Sequence, residues 1–473
     1  MTKTTLAVFT VVLVSNAAYA QQVPPVSPPS GGAPFPAPNP VQPGAPAPIN
    51  REAPLETGPV PVKGKWNPTL YGFAEFDGIY DTTESLLDLA GNGVIAKSGV
   101  YAGDHSRVQF GVRNSRFGFR LTAPVVDEIK PTALLEFDLL GSQPAIAPGA
   151  SPAYTEAGYF TSAVLRVRHF ALKLETPVVD ILAGQYWQLF GWQTYFHPNT
   201  VEIQGVPGQI FSRSPQFRLS HTFKSEDVNF EIAAAASRPP QRDAALPDGQ
   251  AGARVLVNNW KGLHTMGGAG TAIDSAGLGV SGVLRHFRVP EYVSNPTRSN
   301  GKNGWGVSVD ALVPIVPASD KDRANALTLT GSFVAGSGIA DLYTGLTGGV
   351  TFNRPPANWT QNVDNGLVTY DTQSALHTID WLSVLVGLQY YLPPSGHLWI
   401  AGNYSHMESG NIGDFGLNPA SVIKKTDWAD GNIFWDVTEP VRFGVEYAYF
   451  HQSFVDGSDS TNHRVQLSGW YIF

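Results

Sequence analysis

The sequence contains no cysteine among its 473 residues. This absence excludes disulfides, thiolate metal sites, a cysteine nucleophile and the lipid-modified cysteine of a bacterial lipoprotein. Charged residues make up only 15% of the chain, and the formal net charge is -8. A nucleic-acid-binding protein needs a basic face to displace phosphate counterions, so we expect no nucleic-acid partner.

Enzyme motifs are also scarce. The eleven histidines show no HExxH or other compact ligand spacing, and no G-x-S-x-G elbow lies on a strand-to-helix turn. The stretch Gly277 to Gly282 matches the dinucleotide-binding fingerprint in its letters, but strand-like alternation runs through it and no helical pattern follows. The sequence therefore predicts no metal and no cofactor, although a serine and a histidine could still meet across strands.

The first twenty residues have the features of a secretory signal peptide. Lys3 lies in a short polar start, Leu6 to Val14 is apolar, and Ala18 to Ala20 is a small-residue cleavage site. The apolar run is too short to span the bilayer core, which takes roughly 20 helical residues. We expect residues 1–20 to be removed on export. No later window reaches the length of a transmembrane helix, so any membrane residence requires strands.

Residues Gln21 to Lys65 contain fourteen prolines in forty-five positions. Proline fixes the backbone near polyproline II and removes hydrogen-bond donors, so this stretch is predicted to be an extended or disordered linker. Two uses remain open. It is either a linker without a dedicated partner or a periplasmic arm that binds the cell wall or another partner.

From Trp66 to Phe473, apolar and polar residues alternate in a series of short runs. A period of two places such sets on opposite faces of a sheet. Fifteen runs are clear, and Gln250 to Val257 is a weak sixteenth. The weak run is needed because bacterial barrels have an even strand number, with short periplasmic turns on one side and long loops on the other. The prediction is a 16-stranded antiparallel transmembrane β-barrel spanning residues 66–473, with its polar parity facing a water-filled channel.

Several arginines share the polar, inward parity. A guanidinium is permanently charged and presents a fork of donors, which suits carboxylate and phosphate solutes. These residues are candidates for an anion pathway: Arg116, Arg120, Arg166, Arg168 and Arg218, with Arg285 and Arg442 as further candidates. Acidic residues are expected to line the same pore, namely Glu75, Asp77, Glu136 and Asp138. The alternative is that arginines and carboxylates only neutralise each other in cross-strand ladders.

The segment Gln188 to Ser214 is too long for a tight turn and contains Trp192, Tyr195, Phe196 and His197. It is expected either to fold into the barrel as a constriction or to pack on the rim as an outer loop.

Several short segments occur along the sequence in an order and spacing that carry a resemblance to a known family. They are Leu70 to Phe73, Asn114 to Phe119, Leu165 to His169, Gly184 to Trp187, Pro215 to Arg218, Gly444 to Tyr447 and the terminal Phe473. With them the chain resembles Gram-negative outer-membrane porins, in particular the DcaP-like porins. The resemblance covers the barrel but not the Pro-rich linker, where the heptads of that family are missing. It implies a homotrimer, uptake of small anionic organic acids, and a terminal Phe473 that signals to the outer-membrane assembly machinery.

The sequence thus predicts an outer-membrane porin that lets small hydrophilic solutes, anionic or neutral, diffuse passively, with its N-terminal arm in the periplasm. Two other functions stay open at this point. The barrel could carry a lipid or peptide hydrolase, or it could be a structural anchor in the outer-membrane lipid.

Overall fold

The computed structural model describes residues 65–141, 163–193, 195–202, 205–265, 270–318, 323–352, 354–415 and 418–473. The predicted signal peptide and the predicted linker up to residue 64 lie outside the described residues. Within the described part of the chain, no helix is long and apolar enough to cross a membrane.

Nearly all of the regular structure is antiparallel strand. The only helical pieces in the described residues are α1 (Tyr101–Asp104) and the short 3-10 turns Phe190–Trp192, Ala340–Leu342 and Ile412–Phe415. The strands are β1 (Asn67–Asp81), β2 (Arg107–Gly111), β3 (Arg116–Thr122), β4 (Lys130–Asp138), β5 (Arg166–Glu175), β6 (Asp180–Trp187), β7 (Arg213–Lys224), β8 (Val228–Ser237), β9 (Asp248–His264), β10 (Ala272–Pro290), β11 (Ser299–Val316), β12 (Leu327–Ser337), β13 (Val368–Tyr370), β14 (Leu376–Thr378), β15 (Asp380–Tyr391), β16 (Leu398–Glu408), β17 (Ile423–Thr438), β18 (Val441–Phe454) and β19 (Asp459–Ile472).

These strands close into a 16-stranded barrel, as predicted. β2 and β3 are two segments of one barrel strand, because both pair with β1, and β13 and β14 form a separate small hairpin. The barrel closes where β1 pairs with β19, with Asp77 opposite Ser468. The backbone N–H of Phe473 donates to the carbonyl of Gly72 at 3.0 Å, and the N–H of Gly72 donates back at 2.9 Å. A closed sheet leaves no unpaired edge, which a lipid environment requires.

The weak sixteenth run is a strand of 17 residues, β9, so the strand count made from the sequence is confirmed. Its alternation is faint because three outward positions are small: Gly249, Ala251 and Ala253. Its inward positions include Gln250 and Arg254, which keep the polar parity intact.

The outer face of the barrel is apolar and exposed. Leu70 is 67% exposed, Phe170 65% and Phe443 46%. Within each strand, the alternate residues face the barrel interior. A water-soluble protein would bury such a band, so the surface fits the hydrocarbon core of a bilayer.

The barrel interior is not uniformly wet. Two long connections, residues 188–212 between β6 and β7 and residues 338–379 between β12 and β15, contribute side chains to the interior. The largest apolar cluster joins Phe190 of the first connection with Leu342 and Leu367 of the second and with Trp381 of β15. A 16-stranded barrel is too wide for its wall side chains to fill, so inserted chain takes up part of the lumen.

Candidate functional site

Inserted chain covers one side of the lumen and leaves the other side open. Most inward residues of β10–β12, β15–β19 and β1 are buried, for example Ser308 at 0%, Ser383 at 1% and Gln466 at 0% exposure. We call these inner faces the covered wall. We call the inner face of β3–β9 the open wall, because inward residues there, such as Arg120 and Lys173, reach solvent.

The connection between β6 and β7, residues 188–212, is the main cover, and we call it the inward segment. Its backbone N–H groups bond to inward side chains of distant strands: Gly191 donates to Ser281 Oγ at 2.8 Å, and Glu202 donates to Glu446 Oε2 at 3.0 Å. The segment therefore lies inside the barrel rather than on its rim. Of the two sequence interpretations, the constriction agrees with these contacts.

A cavity of about 950 Å³ follows the open wall on the side of the short turns. We call it the turn-side cavity. Six cationic side chains line it, against four acidic ones. The cationic set is Arg120, Lys130, Lys173, Arg218, Lys224 and Arg254, and the acidic set is Glu128, Glu175, Asp180 and Glu231.

A second cavity of about 700 Å³ lies on the side of the long loops, and we call it the loop-side cavity. Its charged lining comprises Arg213, Arg238 and Arg242 against Asp341 and Asp364. Residues of β6 and β7 line both cavities. In both cavities the cationic side chains outnumber the acidic ones.

Three of the predicted arginines form a ladder with two of the predicted carboxylates. Arg168 bridges Glu136, at 2.7 Å from Nε to Oε1, and Asp138, at 3.0 Å from Nη1 to Oδ2. Arg166 binds Asp138 through Nε at 2.9 Å and Nη2 at 2.5 Å, and Arg116 lies 3.7 Å from Glu136. The Arg168 side chain is fully buried, whereas that of Arg166 is 33% exposed. Arg168 therefore neutralises the carboxylates, while Arg166 is accessible from the lumen.

A β-bulge shapes this ladder. The register between β4 and β5 shifts between Glu136 and Phe137, so Arg168 and His169 both turn inward. Strict alternation from Arg166 and Arg168 would send His169 outward. The bulge instead packs its ring against Tyr186, with centroids 4.7 Å apart. No local pattern in the sequence indicates this extra residue.

Arg213 joins the cluster although sequence reasoning did not select it. Its guanidinium lies over the ring of Trp187 at 4.7 Å and over the ring of Phe211 at 5.5 Å. Among the described residues, Arg213 forms no ion pair. It is the first residue of β7 and has the same parity as Pro215 and Phe217, which face outward. Strict alternation therefore predicts, wrongly, that Arg213 also faces outward. Its closeness to the inward segment was the one available signal.

The other predicted residues have varied surroundings. Arg120 and Arg218 line the turn-side cavity. Glu75 and Asp77 lie on the inner face but are only 3% and 0% exposed, and Asp77 accepts a hydrogen bond from Asn114 at 2.8 Å. Arg285 and Arg442 are buried in ion pairs with Asp248 and Asp436, at 2.9 Å and 2.6 Å. Phe473 is 41% exposed on the outer face, and its ring lies 6.2 Å from that of Phe117.

His197 of the inward segment is buried beside His264, whose Nε2 lies 2.7 Å from the His197 carbonyl oxygen. Burial, with a smaller contribution from the neighbouring His264, lowers the pKa of His197 to about 3. His197 is therefore neutral at physiological pH and contributes no charge to the lumen.

A closed 16-stranded antiparallel barrel with an apolar outer face and a largely polar inner face is the fold of transmembrane β-barrel proteins. In that fold the chain is similar to the crystal structure of the outer-membrane channel DcaP of Acinetobacter baumannii, with a TM-score of 0.62 and 19% identity over 87% of this chain and 98% of that one. The resemblance seen in the sequence phrases is thus confirmed at the level of the fold.

Two other solved structures align less closely. They are the anion-selective porin from Comamonas acidovorans, with a TM-score of 0.47 and 10% identity over 86% and 100% of the two chains, and the trimer form of OmpT, an outer membrane protein of Vibrio cholerae, with 0.46 and 11% over 87% and 100%. No protein-family profile matches the sequence, and no curated protein matches it.

Proposed function

We propose that this protein is an outer-membrane porin through which small hydrophilic solutes diffuse, with a preference for anions. The observation that carries the proposal is the pair of cavities along the open wall, both lined by more cationic than acidic side chains. The resemblance in fold to a solved outer-membrane channel supports the pore but says nothing about which solute passes.

The open wall offers a series of weak anion sites. Arg213 stands in the loop-side cavity, Arg166 and Arg116 are partly exposed beside it in the cluster, and Arg218 and Arg120 line the turn-side cavity. Arg213 and Arg218 are five residues apart on β7, which is roughly 17 Å at the rise of a strand. An anion can pass from one guanidinium to the next because each site binds it weakly and the field keeps cations out.

The ladder and the pathway coexist in this arrangement. Arg168 pairs with Glu136 and Asp138 and neutralises them, which agrees with the alternative that arginines and carboxylates form cross-strand ladders. Arg213 has no such partner among the described residues, and it lines the loop-side cavity, where a solute can approach its partly exposed guanidinium. Two aromatic rings hold its guanidinium in place, so little side-chain freedom is lost when an anion binds.

The test is a planar-bilayer recording of the purified full-length protein under a tenfold KCl gradient. We expect stepwise conductance and a reversal potential of the sign that chloride selectivity gives. A reversal potential of the sign that potassium selectivity gives would refute the anion preference. A folded barrel without conductance would refute the pore. Conductance steps in groups of three would support the homotrimer that we also propose from the resemblance.

The remaining sequence expectations belong to the same proposal. We infer residence in the Gram-negative outer membrane, recognition of Phe473 by the assembly machinery, and a cleaved signal followed by a periplasmic linker at residues 21–65. Removing residues 21–65 behind an intact signal is expected to leave the single-channel conductance unchanged.

A further inference from the structure

The Trp192 side chain occupies a notch in the barrel wall, where each of two neighbouring strands has a glycine. Gly279 of β10 and Gly252 of β9 both face inward under the indole ring. A Cβ atom at position 279 would lie 2.7 Å from Trp192 Cδ1 and 2.8 Å from Phe196 Cε2. A Cβ atom at position 252 would lie 3.1 Å from Trp192 Cε2. The ring therefore fills the volume that any other residue would need.

The backbone around Trp192 is held in an unusual conformation to reach this notch. Gly191 has φ of 78° and Trp192 itself has φ of 40°, the left-handed region that a bulky residue rarely adopts. Hydrogen bonds to the wall maintain it: Gly191 N–H donates to Ser281 Oγ at 2.8 Å, and Trp192 Nε1 donates to the Val280 carbonyl at 3.1 Å. The position of the ring is thus fixed by several independent contacts.

Arg254 packs on the indole ring of Trp192. Its guanidinium lies 4.7 Å from the Trp192 ring and 4.9 Å from the Tyr195 ring, and its Nη2 pairs with Glu231 Oε2 at 2.7 Å. Arg254 also lines the turn-side cavity. The order from lipid to water at this level is therefore glycine backbone, indole, guanidinium and cavity.

We propose that Gly252 and Gly279 set the width of the passage by seating Trp192 in the wall, and that Trp192 in turn positions Arg254 at the edge of the water-filled space. The inference rests on the proposed pore function and names its size-determining residues. The barrel backbone behind the ring is held by the pairing of β10 with β9 and with β11. Anything that fills the notch therefore pushes the indole and the guanidinium towards the cavity and narrows it.

This notch also gives a role to the glycines of the stretch Gly277 to Gly282. Gly277 and Gly279 both face the inward segment, and a Cβ atom at position 277 would lie 3.2 Å from Tyr195 Cε1. What resembles a dinucleotide fingerprint in letters is a strand whose glycines make room for aromatic side chains.

The test compares four variants of the full-length protein in planar bilayers and in liposome-swelling assays with sugars of increasing size. Gly279→Ala is expected to lower the conductance roughly two-fold and the size limit with it, since conductance follows the cross-section of a water-filled pore. Trp192→Ala is expected to raise both. The double variant is expected to resemble Trp192→Ala, because the added methyl group then has no indole ring to displace. Gly249→Ala is the matched control, since Gly249 lies on the same strand as Gly252 and a Cβ atom there meets nothing within 4 Å.

A conducting wild type with unchanged conductance and size limit in folded Gly279→Ala would overturn this inference alone. If that variant fails to assemble, Trp192→Ala decides, and an unchanged size limit would overturn it. A folded wild type without any conductance would overturn the proposed pore and this inference together.

Discussion

The open and covered walls are built from the same alternating strands, yet their inward charges have opposite surroundings. On the covered wall, Arg464 binds Asp81 through two contacts of 2.9 Å, and both side chains are 0% exposed. On the open wall, Arg166 pairs with Asp138 but keeps 33% of its side chain exposed, and Arg213 has no ion pair among the described residues. Alternation fixes which face a residue occupies, and the inserted chain decides whether protein or water covers it.

This difference separates two consequences of mutation. Removing a charge from the covered wall should change the free energy of unfolding and leave ion selectivity alone, since no solute reaches it. Removing an exposed charge from the open wall should change selectivity and leave stability almost unchanged.

Arg464→Met should have the largest effect. It leaves the Asp81 carboxylate buried without its cation, which typically costs about 3–5 kcal/mol. Urea unfolding of the refolded barrel measures the loss, and the molecules that do fold should keep the wild-type reversal potential. The double variant Arg464→Met with Asp81→Leu should recover much of the stability. A shifted reversal potential in the single variant would show that the covered wall is open to ions.

Acidification should loosen the inward segment through His197. Its pKa is about 3 in the folded protein and ordinarily 6.5, so the unfolded state binds more protons between these values and stability falls as the pH drops below 6.5. At pH 5 the loss is about 2 kcal/mol. His197→Gln should lose less stability than wild type between pH 7 and pH 5, by about that amount. Equal losses in the two proteins would contradict a buried neutral His197.

Arg213→Gln should weaken the anion preference and destabilise the barrel far less than Arg464→Met. The ratio of chloride to potassium permeability should fall roughly three- to five-fold, the effect of losing about 1 kcal/mol of attraction at 4 Å in water. The unfolding free energy should fall by about 1 kcal/mol, since the contacts with the Trp187 and Phe211 rings are lost but no ion pair is broken. Arg213→Lys is the control and should keep most of the preference. An unchanged ratio in Arg213→Gln would remove Arg213 from the pathway.

Glu175→Gln should have the smallest effect on stability. Glu175 pairs with Lys130 at 3.1 Å and with Lys173 at 3.0 Å, and all three side chains are at least 37% exposed. Exposed pairs contribute about 0–1 kcal/mol, so urea unfolding should hardly change. The turn-side cavity loses one negative charge, and chloride permeability should rise slightly. A large loss of stability would show that this rim is more buried than the structure has it.

Much of the barrel could be predicted from the sequence, because a period of two is a local property. Even the weak strand β9 followed from the requirement for an even strand number. Burial within the lumen could not be predicted in this way. Whether Arg168 or Arg166 reaches water depends on a bulge in β5 and on chain inserted from elsewhere, and neither leaves a local pattern.

The site residues that could be predicted are those around which strict alternation holds. Arg120 and Arg218 were found because strict alternation holds around them, and they line the turn-side cavity. Arg213 was missed because it lies where β7 begins and its direction is set by Trp187 and Phe211 rather than by the pleat. The glycines under Trp192 could not be interpreted without the inward segment that fills their notch.

The most direct test of the two-wall account is the reversal potential of wild type, Arg213→Gln and Arg464→Met under one tenfold KCl gradient. Both variants remove one arginine charge, but Arg464 belongs to the covered wall, where its side chain is 0% exposed and binds Asp81 at 2.9 Å. The account predicts a chloride-type potential in wild type, a smaller one in Arg213→Gln and the wild-type value in folded Arg464→Met. A shift in Arg464→Met as large as that in Arg213→Gln would contradict it.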